Sequence, residues 1–299
     1  MASAASIRDR LKNFAKASNA DVGMLIKRYG GEAIMRRVAM HDRADAFILK
    51  GASLFAMTDQ ALVRTTADVD FGIKLCVSGL GELEDLMRGI LAQDANDGVE
   101  FLLDTFQSRQ VREDESGDIE GIKLIVDFRF GSAVERALLD VQLWKTPMPE
   151  LPPVKEFASL LPGTVSAPRL RMMPWEYVVA EKLCASVEDG GPDTIRIKDA
   201  YDIRAVLPHL DGASLADALR NTFRERLGFL PSAEQIPLLT DAYAAMNGRA
   251  YADWARGKKL ACPPPLAEAV AAMRSALGPL IDAVRREGAE ARPALAAAR

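Results

Sequence analysis

Two aspartates two residues apart, Asp68 and Asp70, are the residues whose types and spacing most directly suggest chemistry. They lie in Asp68-Val69-Asp70-Phe71-Gly72-Ile73, which alternates with period two, as a half-buried strand does. Residues i and i+2 of a strand share a face, about 6–7 Å apart along the backbone. Val69, Phe71 and Ile73 take the other face as a core-facing stripe. Two carboxylates this close repel by roughly 3 kcal/mol at ~5 Å and an effective dielectric of about 20. A cation between them removes that cost, and a hard divalent ion with oxygen ligands fits; Mg²⁺ is the usual one with phosphate substrates. The alternative is an exposed sheet face that happens to carry two Asp, against which stands the poor fit of Asp to strands.

Neighbouring segments supply further candidates. Lys50-Gly51-Ala52-Ser53 follows the apolar run Ala46-Phe47-Ile48-Leu49, read as a short buried strand, and precedes Leu54-Phe55-Ala56-Met57, read as a helix start. Such a turn aims backbone N–H groups and the positive helix end at an anion. Gly51 would let a phosphate approach the backbone, and the Ser53 hydroxyl could donate to it. Gly-x-Ser is common in turns, so its place one short helix before the Asp-x-Asp strand carries the reading. In Leu138-Leu139-Asp140-Val141-Gln142-Leu143, three apolar residues share one face and leave Asp140 with Gln142 on the other. Asp140 is the preferred third carboxylate beside Asp68 and Asp70; Asp127, in Ile125-Val126-Asp127-Phe128, competes for the role. Farther on, Lys182 shares a helix face with Trp175, Val178 and Val179. It either snorkels to the edge or points into a cleft to meet a phosphate. In Arg196-Ile197-Lys198-Asp199-Ala200-Tyr201-Asp202-Ile203, Asp199 and Asp202 are i, i+3 neighbours. Acidic residues near a helix N-terminus are also favoured simply by the dipole.

The elements that must position these residues read as follows. Residues 5–41 form two helices, with Gly30-Gly31 as punctuation. After the two strands already named comes a helix over about 79–94, then extended segments near 99–112, 121–130 and 135–144. The last two flank Gly131-Ser132-Ala133, a hairpin turn. A Pro-rich connector from Pro147 to Pro168 sets the expected boundary between an α/β lobe, 1–150, and a helical lobe, 151–299. Helices are expected over about 174–188, 197–207, 213–226, 233–246, 250–256 and 265–286, with Pro263-Pro264-Pro265 as a hard break and a fraying Ala-rich tail after about 288. The expected class is α+β: a mixed sheet, then an α-helical C-terminal lobe, with the active site in a cleft.

Composition agrees with a globular protein: 299 residues, 49% hydrophobic and 27% charged. A net charge of −4 argues against nucleic-acid binding by bulk charge, leaving only local basic clusters. Those are Arg36-Arg37, Arg169 with Arg171, Arg196 with Lys198, Arg220 with Arg224 and Arg226, and Lys258-Lys259; each also reads as solvated surface. Cys76, Cys184 and Cys262 are scattered, and with only His41 and His209 beside them they argue against a zinc site or a disulfide framework. No signal-peptide core and no apolar run near 20 residues is found, so no membrane association and a cytoplasmic protein are the expectations.

Taken together, Phe47-Ile48-Leu49-Lys50-Gly51-Ala52-Ser53, Arg64-Thr65-Thr66-Ala67-Asp68-Val69-Asp70-Phe71, Ala180-Glu181-Lys182-Leu183 and the segment from Arg196 to Ile203 resemble the AbiEii/AbiGii toxin family of nucleotidyltransferases, within the DNA-polymerase-β-like superfamily. The resemblance runs from about residue 20 to about 280. It implies that Lys50, Gly51 and Ser53 hold the triphosphate of an NTP, with Thr66 lining the same pocket, and that Asp68 and Asp70 bind Mg²⁺. Lys182 would contact phosphates, and Asp199 would be the essential acid of the last motif. It further implies a toxin paired with an antitoxin encoded nearby, with a tRNA 3′ end as the acceptor. An acceptor on a protein or a small molecule such as an aminoglycoside, or a nucleotide-binding module without turnover, are the alternatives. Two departures stand: Ala52 replaces the family's second glycine, which alters the turn, and Asp140 matches no motif of the toxin family.

Overall fold

Phe47, Leu49, Val69, Phe71, Leu139 and Val141 come together, all buried, on one face of a seven-stranded sheet. The computed structural model describes residues 4–57, 68–74, 80–113, 119–143, 150–193, 195–258 and 263–296. The strands are β1 (Phe47–Lys50), β2 (Asp68–Ile73), β3 (Val99–Glu113), β4 (Ile119–Phe130), β5 (Ala133–Leu143), β6 (Val154–Glu156) and β7 (Arg169–Met172). Their order is β3-β4-β5-β2-β1-β7-β6; β2–β5 and β1–β7 run parallel and the other pairs antiparallel. With the helices, this mixed sheet makes an α+β protein.

Helix α1 (Ala4–Ser18) precedes α2 (Val22–Met40), which starts where the Asp21 carboxylate accepts from the Met24 N–H at 2.7 Å. Gly30-Gly31 do not interrupt the chain, as expected, but sit inside α2. A Cβ at Gly30 would lie 2.4 Å from the Phe128 ring, so the glycine is there to let helix and sheet approach. From Leu25 to Val38 almost every α2 residue is buried, including Arg28, Glu32, Arg36 and Arg37. Arg36 Nε donates to Asp97 Oδ2 at 2.8 Å, and Arg37 reaches both Asp97 oxygens and the Val99 carbonyl. Glu32 accepts from the Leu160 N–H at 3.0 Å and the Ser159 hydroxyl at 2.8 Å; burial pushes its carboxyl up, against the pull of Arg28 and Arg36. Arg36-Arg37 is therefore no surface basic cluster. Helix α3 (Leu80–Leu91) completes the first unit's helices, burying Leu83, Met87, Ile90 and Leu91.

The chain divides into two units between Met173 and Pro174, not near residue 150. The Pro-rich stretch conceals one short strand and a second follows it directly: β7 lies beside β1, pairing Ile48 with Arg171 and Leu49 with Met172, and β6 pairs with β7. That pairing, with the Glu32–Leu160 bond, ties residues 150–173 to the first unit. The second unit is helical: α4 (Trp175–Glu188), α5 (Ile197–Val206), α6 (Gly212–Leu227), α7 (Asp241–Gly257) and α8 (Leu266–Ala296). The helices expected over 233–246 and 250–256 are instead two 3₁₀ turns followed by the single helix α7. Pro237 begins the second turn, and the Thr240 hydroxyl caps α7 by accepting from the Tyr243 N–H. Helix α8 continues past Gly288 to Ala296. No helix among the described residues is long and apolar enough to cross a membrane.

Candidate active site

The register of β3, β4, β5, β2 and β1 sets five charged residues in one row across the sheet. Arg109 pairs with Lys123, Lys123 with Asp140, Asp140 with Asp70, and Asp70 with Lys50. Directly paired residues share a face, and neighbouring strands lie about 4.8 Å apart. Val69 and Phe71, which flank Asp70 in sequence, are buried on the opposite face, so the carboxylates stand away from the core as the alternation requires. Asp68, two residues before Asp70, shares its face and is paired with Leu138. Asp127, the rival third carboxylate, is held elsewhere: it pairs with Arg136 and accepts from Arg136 Nε at 3.0 Å.

The turn after β1 closes on this row. Gly51 has φ +67°, and a Cβ there would fall 2.0 Å from Asp70 Oδ2, so only glycine can occupy the place where backbone meets carboxylate. The segment that follows is a seven-residue 3₁₀ turn, Gly51–Met57, rather than the start of an α-helix. Its dipole is correspondingly short, and the close approach at Gly51 seats the Asp70 carboxylate against the backbone. The buried Ser53 does not offer its proton outward as expected; its hydroxyl donates to the Asp68 carbonyl at 2.9 Å and pins β2 to the turn. Lys50 Nζ donates to Gln142 Oε1, across β2 at Gly72, which has no side chain to stand between them. Thr66 and the rest of Arg64–Ala67 lie outside the described residues.

Could these residues hold a divalent ion? Among the described residues Asp140 Oδ1 is buried yet has no hydrogen bond, and Lys123 Nζ stands 3.4 Å from it. An orphaned carboxylate oxygen, beside a second carboxylate, suits a hard cation. Among the described residues no group of three His, Cys, Asp or Glu side chains is drawn together tightly enough to form a complete cage. Mg²⁺ does not need one: it keeps several waters and takes one or two carboxylates plus substrate phosphates. The donor set fits on those terms.

In the second unit, Lys182 neither snorkels nor stands alone. Its Nζ lies 2.5 Å from Asp199 Oδ1 and 3.0 Å from Asp202 Oδ2, with Asp202 fully buried. Arg196 bridges Asp199 at 2.9 Å and Asp189 at 2.6 Å. Burial opposes the charge on Lys182, but Asp202 and Asp199 outweigh it and raise its pKa. Burial likewise opposes ionisation of Asp199, and Lys182 and Arg196 overcome it, leaving that carboxyl below its ordinary value. Tyr243 is fully buried with a hydroxyl that has no hydrogen-bond partner among the described residues, and burial together with Asp199 pushes its pKa up. Lys123, Asp202, Arg196 and Gln142 are the residues that sequence reasoning left outside its site. The i, i+3 spacing of Arg196, Asp199 and Asp202 was the signal for two of them; nothing local marks Lys123, whose place comes from register.

Residues 33–272 match the family described as nucleotidyl transferase AbiEii toxin, Type IV TA system, and the chain belongs to that family. It is a nucleotidyltransferase of this toxin class, whose substrate is an NTP and whose partner is an antitoxin. No curated protein matches it. Among solved structures, MenT4, a nucleotidyltransferase toxin from Mycobacterium tuberculosis H37Rv, is similar in fold at TM-score 0.54 and 13% identity, covering 93% of this chain and 99% of that one. JHP933 from Helicobacter pylori matches at TM-score 0.44 and 13% identity, covering 89% and 93% respectively.

Proposed function

We propose that the chain transfers a nucleoside monophosphate from an NTP to the 3′ hydroxyl of a tRNA, with Mg²⁺ held by Asp70 and Asp140 and assisted by Asp68. The observation that carries this reading is the register pair Asp70–Asp140, with Gly51 pressed against one carboxylate and an oxygen of the other left without a hydrogen bond. Bound there, Mg²⁺ supplies charge to the phosphates and lowers the barrier to displacement at the α-phosphorus. The chain's own residues do the rest. Gly51 lets the backbone seat the Asp70 carboxylate, and Lys50 places an ammonium at the same end of the row. Ser53 keeps Asp68 in position through its carbonyl. As the acceptor oxygen bonds to the α-phosphorus, the bond to the β-phosphate oxygen breaks and pyrophosphate leaves; Asp140 takes the hydroxyl proton. In the second unit, Asp199 and Asp202 hold the Lys182 ammonium, to which the sequence motif gives a phosphate-binding role, in one orientation.

The test is incubation of the protein with total tRNA and each of the four α-labelled NTPs in turn. Label on tRNA with one or more nucleotides, lost in Asp70→Asn, supports the reading. Label on protein or small molecules in a lysate, with none on tRNA, would move the acceptor while keeping the chemistry. NTP binding with no pyrophosphate release would reject turnover altogether.

A further inference from the structure

The row across the sheet contains a lysine that the proposed chemistry does not use. Lys123 is paired with Arg109 on one side and Asp140 on the other. Like charges directly opposite on neighbouring strands repel and opposite charges attract, so Arg109 presses the Lys123 ammonium toward Asp140. It arrives only part-way: Nζ is 3.4 Å from Asp140 Oδ1 without a hydrogen bond, and both side chains remain partly exposed, 32% for Lys123 and 40% for Asp140. A tight structural ion pair would close to about 2.7–2.9 Å. This one is loose, and it engages the very oxygen that a divalent ion would need.

We infer that Lys123 is a positioning residue that holds Asp140 in the absence of substrate and competes with the divalent ion for that carboxylate, yielding it when a nucleotide binds and taking a phosphate oxygen in exchange. The inference rests on the metal-site reading above. Its consequence is that metal and nucleotide bind in a linked fashion. Alone, the ion must displace an ammonium already in place; with a triphosphate present, the displaced ammonium, repelled by Arg109, has an anion to go to. Lys123 is thus what keeps the site weakly loaded until substrate arrives.

The experiment is a titration of the full chain with Mn²⁺, followed by electron paramagnetic resonance, with and without a mixture of the four α,β-methylene NTPs. Lys123→Met and Lys123→Gln should bind Mn²⁺ alone about tenfold more tightly than wild type, and nucleotide should add less to their affinity than it adds to wild type's. Lys123→Arg should restore the wild-type pattern. Arg109→Met removes the same charge one strand farther away and should change Mn²⁺ affinity by only about twofold, which separates local competition from net charge. Thermal melts confirm that each variant is folded, and two neutral substitutions of a part-exposed lysine guard against failure of either. Equal Mn²⁺ affinity in wild type and both neutral variants, with Asp70→Asn weaker, overturns the role of Lys123 and leaves the metal site standing. An equal gain from Arg109→Met also overturns it. No Mn²⁺ binding by wild type, with or without nucleotide, overturns both.

Discussion

The first unit gathers carboxylates in two places and treats them in opposite ways. At Asp97 and Glu32 every carboxylate oxygen accepts a hydrogen bond: Asp97 from Arg36, Arg37 and the Val99 N–H, Glu32 from Ser159 and the Leu160 N–H. Neither residue is more than 1% exposed. At Asp70 and Asp140 two acids are set side by side, partly open to solvent, with Asp140 Oδ1 buried and unbonded. Saturated charge holds a fold together; a carboxylate oxygen without a hydrogen bond among the described residues, as Asp140 Oδ1 is, is available for a ligand. The second unit's Lys182–Asp199–Asp202 group lies between these extremes, tightly paired yet 15% exposed at Lys182 and Asp199.

The sharpest way to break the contrast is to substitute one carboxylate of each kind. Asp70→Asn should lower nucleotide transfer by about 10³-fold or more, roughly 4 kcal/mol of barrier, while thermal melting stays at or above the wild-type temperature, because a like-charge repulsion has been relieved. Asp97→Ala should do the reverse. Two buried arginines lose their partner, stability falls by about 3–5 kcal/mol in urea titrations, and the folded fraction keeps its activity.

Lys182→Met tests the intermediate case. It leaves the buried Asp202 without its ammonium and should cost about 3 kcal/mol of stability. The pH dependence has a definite sign. Asp199 has a folded pKa below its ordinary 3.8, so its contribution is present above that pH and is lost as pH falls through the folded value. Lys182 is raised above 10.5, so its contribution is complete below that pH and is lost as pH rises through its folded value. The Tm difference between wild type and Lys182→Met should therefore hold steady between about pH 4 and 10, and narrow in more acidic buffer as Asp199 protonates. Gly51→Ala should cost roughly 1–3 kcal/mol, from the positive φ and from displacement of Asp70, and should reduce transfer more than it reduces stability. Smallest of all, removing the exposed Arg129–Glu100 pair should change stability by less than about 1 kcal/mol.

Much of the site was legible because strands write their faces into alternation. The period-two pattern around Asp68 and Asp70, and around Asp140, gave the facing of each carboxylate, and the structure places Asp70 and Asp140 as direct cross-strand partners. What alternation does not encode is register, so the row that includes Lys123, Arg109 and Gln142 could not be read from the chain. The buried ions of α2 were illegible for a related reason: Arg36-Arg37 looks like surface, and only Asp97, some sixty residues on, makes it interior. β6, inside the Pro-rich segment, and β7, just after it, were illegible because strands of three and four residues leave too short a pattern to detect, and their pairing puts the boundary of the first unit at Met173. The bond from the Ser53 hydroxyl to the Asp68 carbonyl, at 2.9 Å, is likewise a product of how the turn meets β2 and is not written in the local sequence.

The central claim is that the neighbouring carboxylates of β2 and β5 perform the transfer. Pyrophosphate release from a mixture of the four NTPs, in the presence of total tRNA, tests it most directly when wild type, Asp70→Asn and Asp140→Asn are compared at matched folded concentration. Release by wild type, with both variants at background, is the predicted result. Undiminished release by either folded variant would contradict it.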